Sequence, residues 1–236
     1  MGLTIHIKQN IIAPLATPLI NDNAYTIGHV WFSGSAIVDT KGISWTTNGS
    51  PTFGAIDGRQ YVTGCSDSVY FAVPTTASWQ PAASGPYTAA AIVRIDERLV
   101  SRKIIANFSS SGAVRDGMLV YSTTGSSPAN QYGVFNSVSR TPAISGSTGV
   151  FQVFMFGTDG SGTFSAQVNQ NTIVTSGSSN YRVSTVNPMW LGRSTTAGGA
   201  QPNPIMEVYM STEPASSASF ARIYSDVVQK GFILGG

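Results

Sequence analysis

One segment of this 236-residue chain has the spacing of an amphipathic helix. From 214 to 230, Phe220, Ile223, Tyr224, Val227 and Val228 fall at i, i+3, i+4, i+7 and i+8, which puts apolar groups along one face. Pro214 suits the first turn, where a missing N–H removes no hydrogen bond, with Thr212 or Ser211 as the expected cap. Lys230 in the last turn and Gly231 just beyond are C-terminal signals. Everything before this helix reads as short apolar runs broken by turn residues. That pattern confines the chain to an all-β architecture closed by one short C-terminal helix.

The runs at 25–32, 36–39, 43–46, 61–63 and 69–73 are expected strands, separated by the turn dipeptides Asn48-Gly49, Asp57-Gly58 and Thr63-Gly64. Residues 76–86 form a loop rich in Pro, Ala and Ser that carries Trp79. Residues 87–95 are almost continuously apolar and predict a central strand buried on both faces. Further strands are expected at 102–108, 118–122, 131–137, 149–158, 162–170 and 171–176. In 149–158, Phe151, Val153 and Met155 alternate with Gln152, Phe154 and Phe156, so this strand too is central. Trp190-Leu191-Gly192-Arg193 is followed by a breaker-rich loop at 194–203 and a strand from Pro204 to Met210. In that strand the period of two puts Met206, Val208 and Met210 on one face and Ile205, Glu207 and Tyr209 on the other. Many short strands with frequent turns predict a two-sheet antiparallel jelly-roll sandwich.

The order of these pieces resembles the laminin-G-like branch of the concanavalin A-like lectin and glucanase jelly rolls. Trp190-Leu191-Gly192-Arg193, the Gly-rich loop, Met206-Glu207-Val208-Tyr209 and the helix at 218–228 stand where that family closes its sandwich. Val30-Trp31-Phe32-Ser33-Gly34, with Gly49-Ser50-Pro51-Thr52-Phe53-Gly54, looks like its first strands. Pro86-Tyr87-Thr88-Ala89-Ala90-Ala91-Ile92-Val93-Arg94 looks like its F-T-x-x-x-W-V-R strand, with Ala91 where a tryptophan often stands. The resemblance runs over residues 25–231. It implies one concanavalin A-like sandwich over 25–236, its closing helix near 214–230, behind an extended N-terminal arm at 1–24. In the arm Leu3, Ile5 and Ile7 alternate with polar residues, which predicts a short strand suited to a subunit interface, and Pro14 and Pro18 keep the chain extended.

Charge narrows the partners. Charged residues make up 10%, against about 25% in an average soluble protein, and the net charge is +2. The densest basic group, Arg94, Arg98, Arg102 and Lys103, is broken by Asp96 and Glu97, so no nucleic acid is expected. Cys65 is the single cysteine, which excludes an intramolecular disulfide and a cysteine zinc site and suits folding in a reducing cytoplasm. Residues 1–8 lack the charged start and apolar core of a secretion signal, and no apolar run approaches the roughly 20 residues of a membrane helix, so no membrane partner is expected.

Catalytic patterns are sparse. The glycanases that share this jelly roll place paired carboxylates at alternate positions of one strand. No Glu-x-Asp-x-Glu occurs, and a strand would send the adjacent Asp96 and Glu97 to opposite faces. Glu207, between Met206 and Val208, is expected to be solvent-facing or salt-bridged. His6 and His29 have no Gly-x-Ser-x-Gly partner, and a lone strand histidine is usually a packed residue. No catalytic site and no cofactor are therefore expected. The family resemblance adds calcium as a candidate at the sandwich rim, with Asp67, Asp116 and Asp159 in place, although aspartates in Gly/Ser loops are commonly turn formers. For a glycan, an exposed aromatic with amide neighbours is needed, and Trp79, Tyr132 and Asn136 are the candidates. Trp31, Trp45 and Trp190 stand in strands, where packing is the usual role.

These features together predict a non-enzymatic structural protein of a bacteriophage virion. It would be a capsid decoration (cementing) or tail-associated protein, made in the host cytoplasm without a signal peptide. Its partners would be capsid or tail proteins and further copies of itself in a homo-oligomer. The alternative is a carbohydrate-binding module for attachment to host glycans.

Overall fold

A computed structural model describes residues 24–76, 79–96, 102–109, 116–123, 131–136, 139–140, 144–177, 181–193 and 204–231. The expected arm, with Leu3, Ile5 and Ile7, lies outside them except for its last residue. Strands β1 (Gly28–Ser33) and β2 (Ala36–Asp39) form a hairpin, β3 (Thr46–Asn48) follows, and β4 (Thr52–Ile56) and β5 (Arg59–Thr63) form a second hairpin. Next come β6 (Tyr70–Ala72), β7 (Tyr87–Arg94), β8 (Arg102–Ala106), β9 (Met118–Thr123), β10 (Gln131–Asn136), β11 (Ser139–Arg140) and β12 (Ile144–Ser145). The chain continues through β13 (Phe151–Thr158), β14 (Thr163–Val168), β15 (Val174–Gly177), β16 (Trp190–Leu191), β17 (Ile205–Ser211) and helix α1 (Ser217–Gln229).

Two antiparallel sheets result. The first has the order β15-β14-β13-β7-β17-β1-β2, with β5 also pairing β17 and carrying β4. The second has the order β11-β10-β9-β8-β16-β6-β3, with β12 on β10. The inward faces share one core that includes Phe71, Ala89, Ala91, Val120, Val134, Phe154 and Phe156. The expected sandwich is therefore the fold observed.

The expected central strands are central because both their faces are covered. In β7 and β13 every residue but Arg94 is buried. Ala89, Ala91, Phe154 and Phe156 face the second sheet, while Ala90, Ile92, Val153 and Met155 form a second core with Phe220, Ile223 and Val227 of α1. Burying each of these three helix side chains contributes about 1.5–3 kcal/mol. Val228 stays 44% exposed, so the apolar stripe of the helix is narrower than its spacing suggests.

The helix starts later than expected. Ser216 is its N-cap: the Ser216 hydroxyl accepts from Ser219 N at 3.1 Å, and the Ser219 hydroxyl accepts from Ser216 N at 2.8 Å. Ser211 still belongs to β17, Thr212 N donates to Thr26, and Ala215 N donates to Thr158 O, so the residues around Pro214 are held extended against the sheet. At the C-terminal end Gly231 is in the left-handed region (φ 76) as expected and donates to Val228 O, but Lys230, expected in the last turn, is the C-cap just beyond it.

Strict alternation fails in β17. Ile205 pairs with Val93 and Glu207 with Ile92, so the register shifts by one residue between them. Such a bulge sets two consecutive residues on one side. Ile205 therefore joins Val208 and Met210 in the inter-sheet core, and Met206 joins Tyr209 beneath the helix, reversing the faces expected for Ile205 and Met206. Smaller departures have local causes. The strand expected at 43–46 begins at Thr46, because the Trp45 indole donates to Asp39. The strand expected from 171 begins at Val174, because Asn171 N is turned back onto Val168 O.

Candidate functional site

Pairing of β1 with β17 sets His29 opposite Tyr209 and Trp31 opposite Glu207. The His29 and Tyr209 rings stack at 4.3 Å with 5° between their planes. Glu207 shares the helix side of β17 with Tyr209, and α1 ends so that Lys230 reaches it. Lys230 Nζ donates to Glu207 Oε2 at 2.7 Å and to the Tyr209 hydroxyl at 2.6 Å. That hydroxyl in turn donates to Glu207 Oε2. His29 Nε2 lies 2.9 Å from the same oxygen, and because an ionised carboxylate only accepts, this nitrogen carries the proton. Arg59 approaches Glu207 Oε1 at 3.6 Å.

The electrostatics of this cluster follow from its burial. The side chains of His29, Glu207 and Lys230 are 1%, 7% and 4% exposed. Desolvation pushes the Glu207 carboxyl up, but the His29 hydrogen bond and the Lys230 charge outweigh it and hold the pKa at about 2. Burial, with the carboxylate adjacent, pushes the Tyr209 phenol well above its ordinary range. A second contact ties the segment before β1 to α1: the Tyr25 hydroxyl donates to Asp226 at 2.6 Å, and Arg222 lies over the Tyr25 ring. Glu207 is thus salt-bridged and buried, where solvent exposure was the other expectation. An acid held this low does not carry a proton near neutrality, so the cluster suits fastening the helix rather than transferring protons.

The residues expected to meet a sugar lie elsewhere and mostly inside. Trp79 is 3% exposed and packs edge-on to Trp45 at 5.4 Å. It fills the space left by Gly28, where a Cβ would come within 2.3 Å of its indole nitrogen. Tyr132 is fully buried and stacks on Phe154 at 4.9 Å. Both rings spend their faces on the core, which corrects the expectation that they form a stacking platform. Asn136 ends β10, and its side chain lies outside the described residues.

Asp67 is exposed in a turn closed between Ser66 and Val69. Asp116 is half-buried, its backbone bridged to Ser109. The Asp159 carboxylate accepts from Ser161 N and Thr163 N at 2.8 and 3.1 Å, and these backbone bonds hold its pKa at about 2. Asp159 is thus the acceptor of a hairpin turn. Among the described residues no three His, Cys, Asp or Glu side chains gather as metal ligands. Cys65 is buried, which pushes its thiol up to about 12 and leaves it a poor nucleophile.

A different constellation stands on the outer face of the second sheet. Phe71 and Leu191 point into the core, so their neighbours Tyr70, Ala72 and Trp190 point out. The Tyr70 and Trp190 rings meet edge to face at 6.3 Å. Gly192, in the left-handed region (φ 83), then bends the chain and brings Arg193 back over both rings, 4.3 Å from Tyr70 and 4.8 Å from Trp190. Arg193 Nε is shielded from solvent and has no hydrogen-bond partner among the described residues. Farther across the face, Ala106, Phe108, Leu119 and Tyr121 form a buried cluster, with Lys103 Nζ 5.7 Å from the Tyr121 ring. The sequence signal for this group is the spacing Trp190-x-Gly192-Arg193, which the sequence marks as a closing strand of the sandwich with Trp190 as a packing residue.

No protein-family model and no curated protein matches the sequence. Solved structures match the fold. Domain 4 of AbnA, a GH43 extracellular arabinanase from Geobacillus stearothermophilus, in complex with arabinotriose, aligns with a TM-score of 0.60 and 12% identity over 84% of this chain and 97% of that one. The botulinum neurotoxin serotype G binding domain aligns at 0.58 with 10% identity, over 84% of this chain and 50% of its own. A Trypanosoma rangeli sialidase in complex with sialic acid aligns at 0.56 with 12% identity, over 87% and 33%. This chain thus spans about half of the neurotoxin domain and a third of the sialidase, but nearly all of the arabinanase domain. At these identities the likeness establishes the β-sandwich.

Glu207 gives the first prediction. A depressed carboxyl pKa contributes stability that is fully present above the unfolded value and is lost as pH falls through the folded one. The contribution of Glu207 therefore fades from about pH 4.5 down to about 2, and amounts to on the order of 3 kcal/mol. Urea melts recorded stepwise from pH 7 to 2 should show a flatter acid limb in Glu207→Gln, with lower stability at pH 7. An acid limb of unchanged slope contradicts the assignment.

Proposed function

We propose that this chain is a non-enzymatic recognition domain that binds carbohydrate at the half-exposed Tyr70–Arg193 end of its second sheet. The observation that carries this reading is the Tyr70–Arg193 pair, both half-buried, with the guanidinium 4.3 Å from the Tyr70 ring beside the buried Trp190. Sugars present C–H faces to aromatic rings and hydroxyls to side-chain donors, and this group offers both. The corresponding face of the first sheet is covered by α1. The likeness to a module of equal extent, solved with arabinotriose, supports the ligand class. Glycoside hydrolysis asks for two carboxyls about 5–9 Å apart, one of them protonated. Glu207, the one buried acid among the described residues, is ionised and tied to Lys230, which favours the non-enzymatic reading.

A glycan array probed with the wild-type protein should show selective binding, and Tyr70→Ala should weaken it on the order of tenfold without lowering the melting temperature markedly. Failure to bind any glycan on a broad array contradicts the proposal.

A second reading sets the same sandwich in a bacteriophage virion, as a capsid decoration or tail-associated protein that contacts other virion proteins and its own copies. The 10% charge and the alternating Leu3, Ile5 and Ile7 favour it, since such an arm can add a strand to a neighbour's sheet edge. The two readings are compatible, because a tail-borne module can bind host glycans. Deletion of residues 1–20 should reduce the oligomer seen by light scattering and the incorporation into particles. Unchanged size and incorporation count against the arm's role.

A further inference from the structure

We infer that β4 is the sheet edge that receives the N-terminal arm of a second copy of this chain, taken up as an added antiparallel strand. This rests on the reading in which the arm at 1–24 joins copies of the chain, and it names the surface that the arm meets.

Three observations converge. The first is an open ladder. β4 pairs with β5 alone among the described strands. The two-residue turn at Asp57 and Gly58, with φ 50 and 75, makes Ile56 and Arg59 the closing hydrogen-bonded pair of the hairpin. Hydrogen-bonded and open pairs alternate from there, so Gly54 and Thr52 also direct their backbone groups to β5. Phe53 and Ala55 therefore turn their N–H and C=O groups away from β5, toward the free edge. The second is the lack of a guard. β4 is the longest of the described strands that border a sheet, with five residues against four in β2 and β15 and two or three in β3, β11 and β12. It carries no charge, no proline and no bulge, the devices that keep an edge from pairing. Thr52, Ala55 and Ile56 are exposed, Ile56 at 43%.

The third is the match in pattern. Phe53 faces the inter-sheet core, where its ring meets Phe32 at 5.8 Å and Phe71 at 6.4 Å, yet it is only half-buried. A strand laid against Phe53 and Ala55 sets residues two apart on that core side and the residues between them outward. In the arm Leu3, Ile5 and Ile7 alternate with Thr4, His6 and Lys8 in just this period. Two successive members of the apolar set, opposite Phe53 and Ala55, extend the core over the Phe53 ring and leave the polar set facing solvent.

The place where the arm leaves the sandwich selects a second copy over the same chain. β5, which carries β4, meets β17 at Ile205. The chain before β1 lies at the other end of β17, with Ile27 N donating to Met210 O and the Thr26 and Thr212 hydroxyls 2.9 Å apart. β1 runs from Gly28 opposite Met210 to Trp31 opposite Glu207, so the residues before it lead away from β4. Mutual exchange lets each copy give one strand and take one, a closed two-fold arrangement.

Isotope-mixed cross-linking of the full chain tests this. Heavy-nitrogen-labelled and unlabelled chains, each with a photoreactive residue in place of Ile5, are mixed, irradiated and mapped by mass spectrometry. Cross-links from position 5 to Thr52–Ile56 that join a labelled chain to an unlabelled one are expected. Ala55→Pro removes the outward N–H without touching the β4–β5 ladder, and should weaken self-association about tenfold or more by light scattering. Ala55→Lys, a charge at an exposed position of the edge, should do the same. Cross-links to Thr52–Ile56 found only within single chains overturn the assignment to a second copy. Cross-links to another surface, with self-association untouched by both substitutions, overturn the inference while leaving assembly through the arm intact. A wild-type protein that is monomeric, or an oligomer unchanged by deletion of residues 1–20, removes the underlying reading and the inference together. Where Ala55→Pro melts early, Ala55→Lys and the cross-links decide.

Discussion

Placing a carboxylate under a helix is destabilising unless something answers its charge, because the ion loses its water at a cost of several kcal/mol. Glu207 is in that position, and the answer comes from three directions. Lys230 descends from the end of α1, His29 reaches across from β1, and Tyr209 donates from two residues along the same strand. The requirement is geometric as well as electrostatic. α1 must stop where Lys230 can reach the sheet, and Gly231, in the left-handed region, stops it there. The apolar contacts of Phe220, Ile223 and Val227 supply most of the adhesion, while the ion pair fixes the register in which they dock.

That docking divides the molecule's surfaces. The first sheet has the second sheet on one side and the helix on the other, and its central strands are apolar on both faces for that reason. A fastened helix closes the outer face of this sheet to ligands. On the outer face of the second sheet Trp190, Ala106, Leu119 and Tyr121 are buried, and Tyr70 and Arg193 are half-buried at one end.

The sequence made some of this plain and hid the rest for physical reasons. The helix, β7 and β13 were legible because period and continuous apolarity are local properties. The bulge in β17 was not, since one extra residue changes the faces of Ile205 and Met206 without altering composition. The Glu207 cluster was hidden by distance, for His29 meets Glu207 across 178 positions and Lys230 meets it across 23. Trp79 looked like a surface ring because it sits among prolines and serines. Its burial depends on Gly28, a residue 51 positions earlier that leaves a gap of the right size. Arg193 was visible as a residue, but its placement over Tyr70 needed the two strands β6 and β16 to be neighbours.

α1 is an integral layer of the fold and not a detachable flap. Native-state hydrogen exchange measures this directly, because each amide reports the free energy of the opening that exposes it. Amides of residues 220–229 are predicted to exchange with the same free energy as those in the middle of β7 and β13, through global unfolding alone. Exchange of the helix by a separate opening several kcal/mol lower, with the strands still protected, would contradict it.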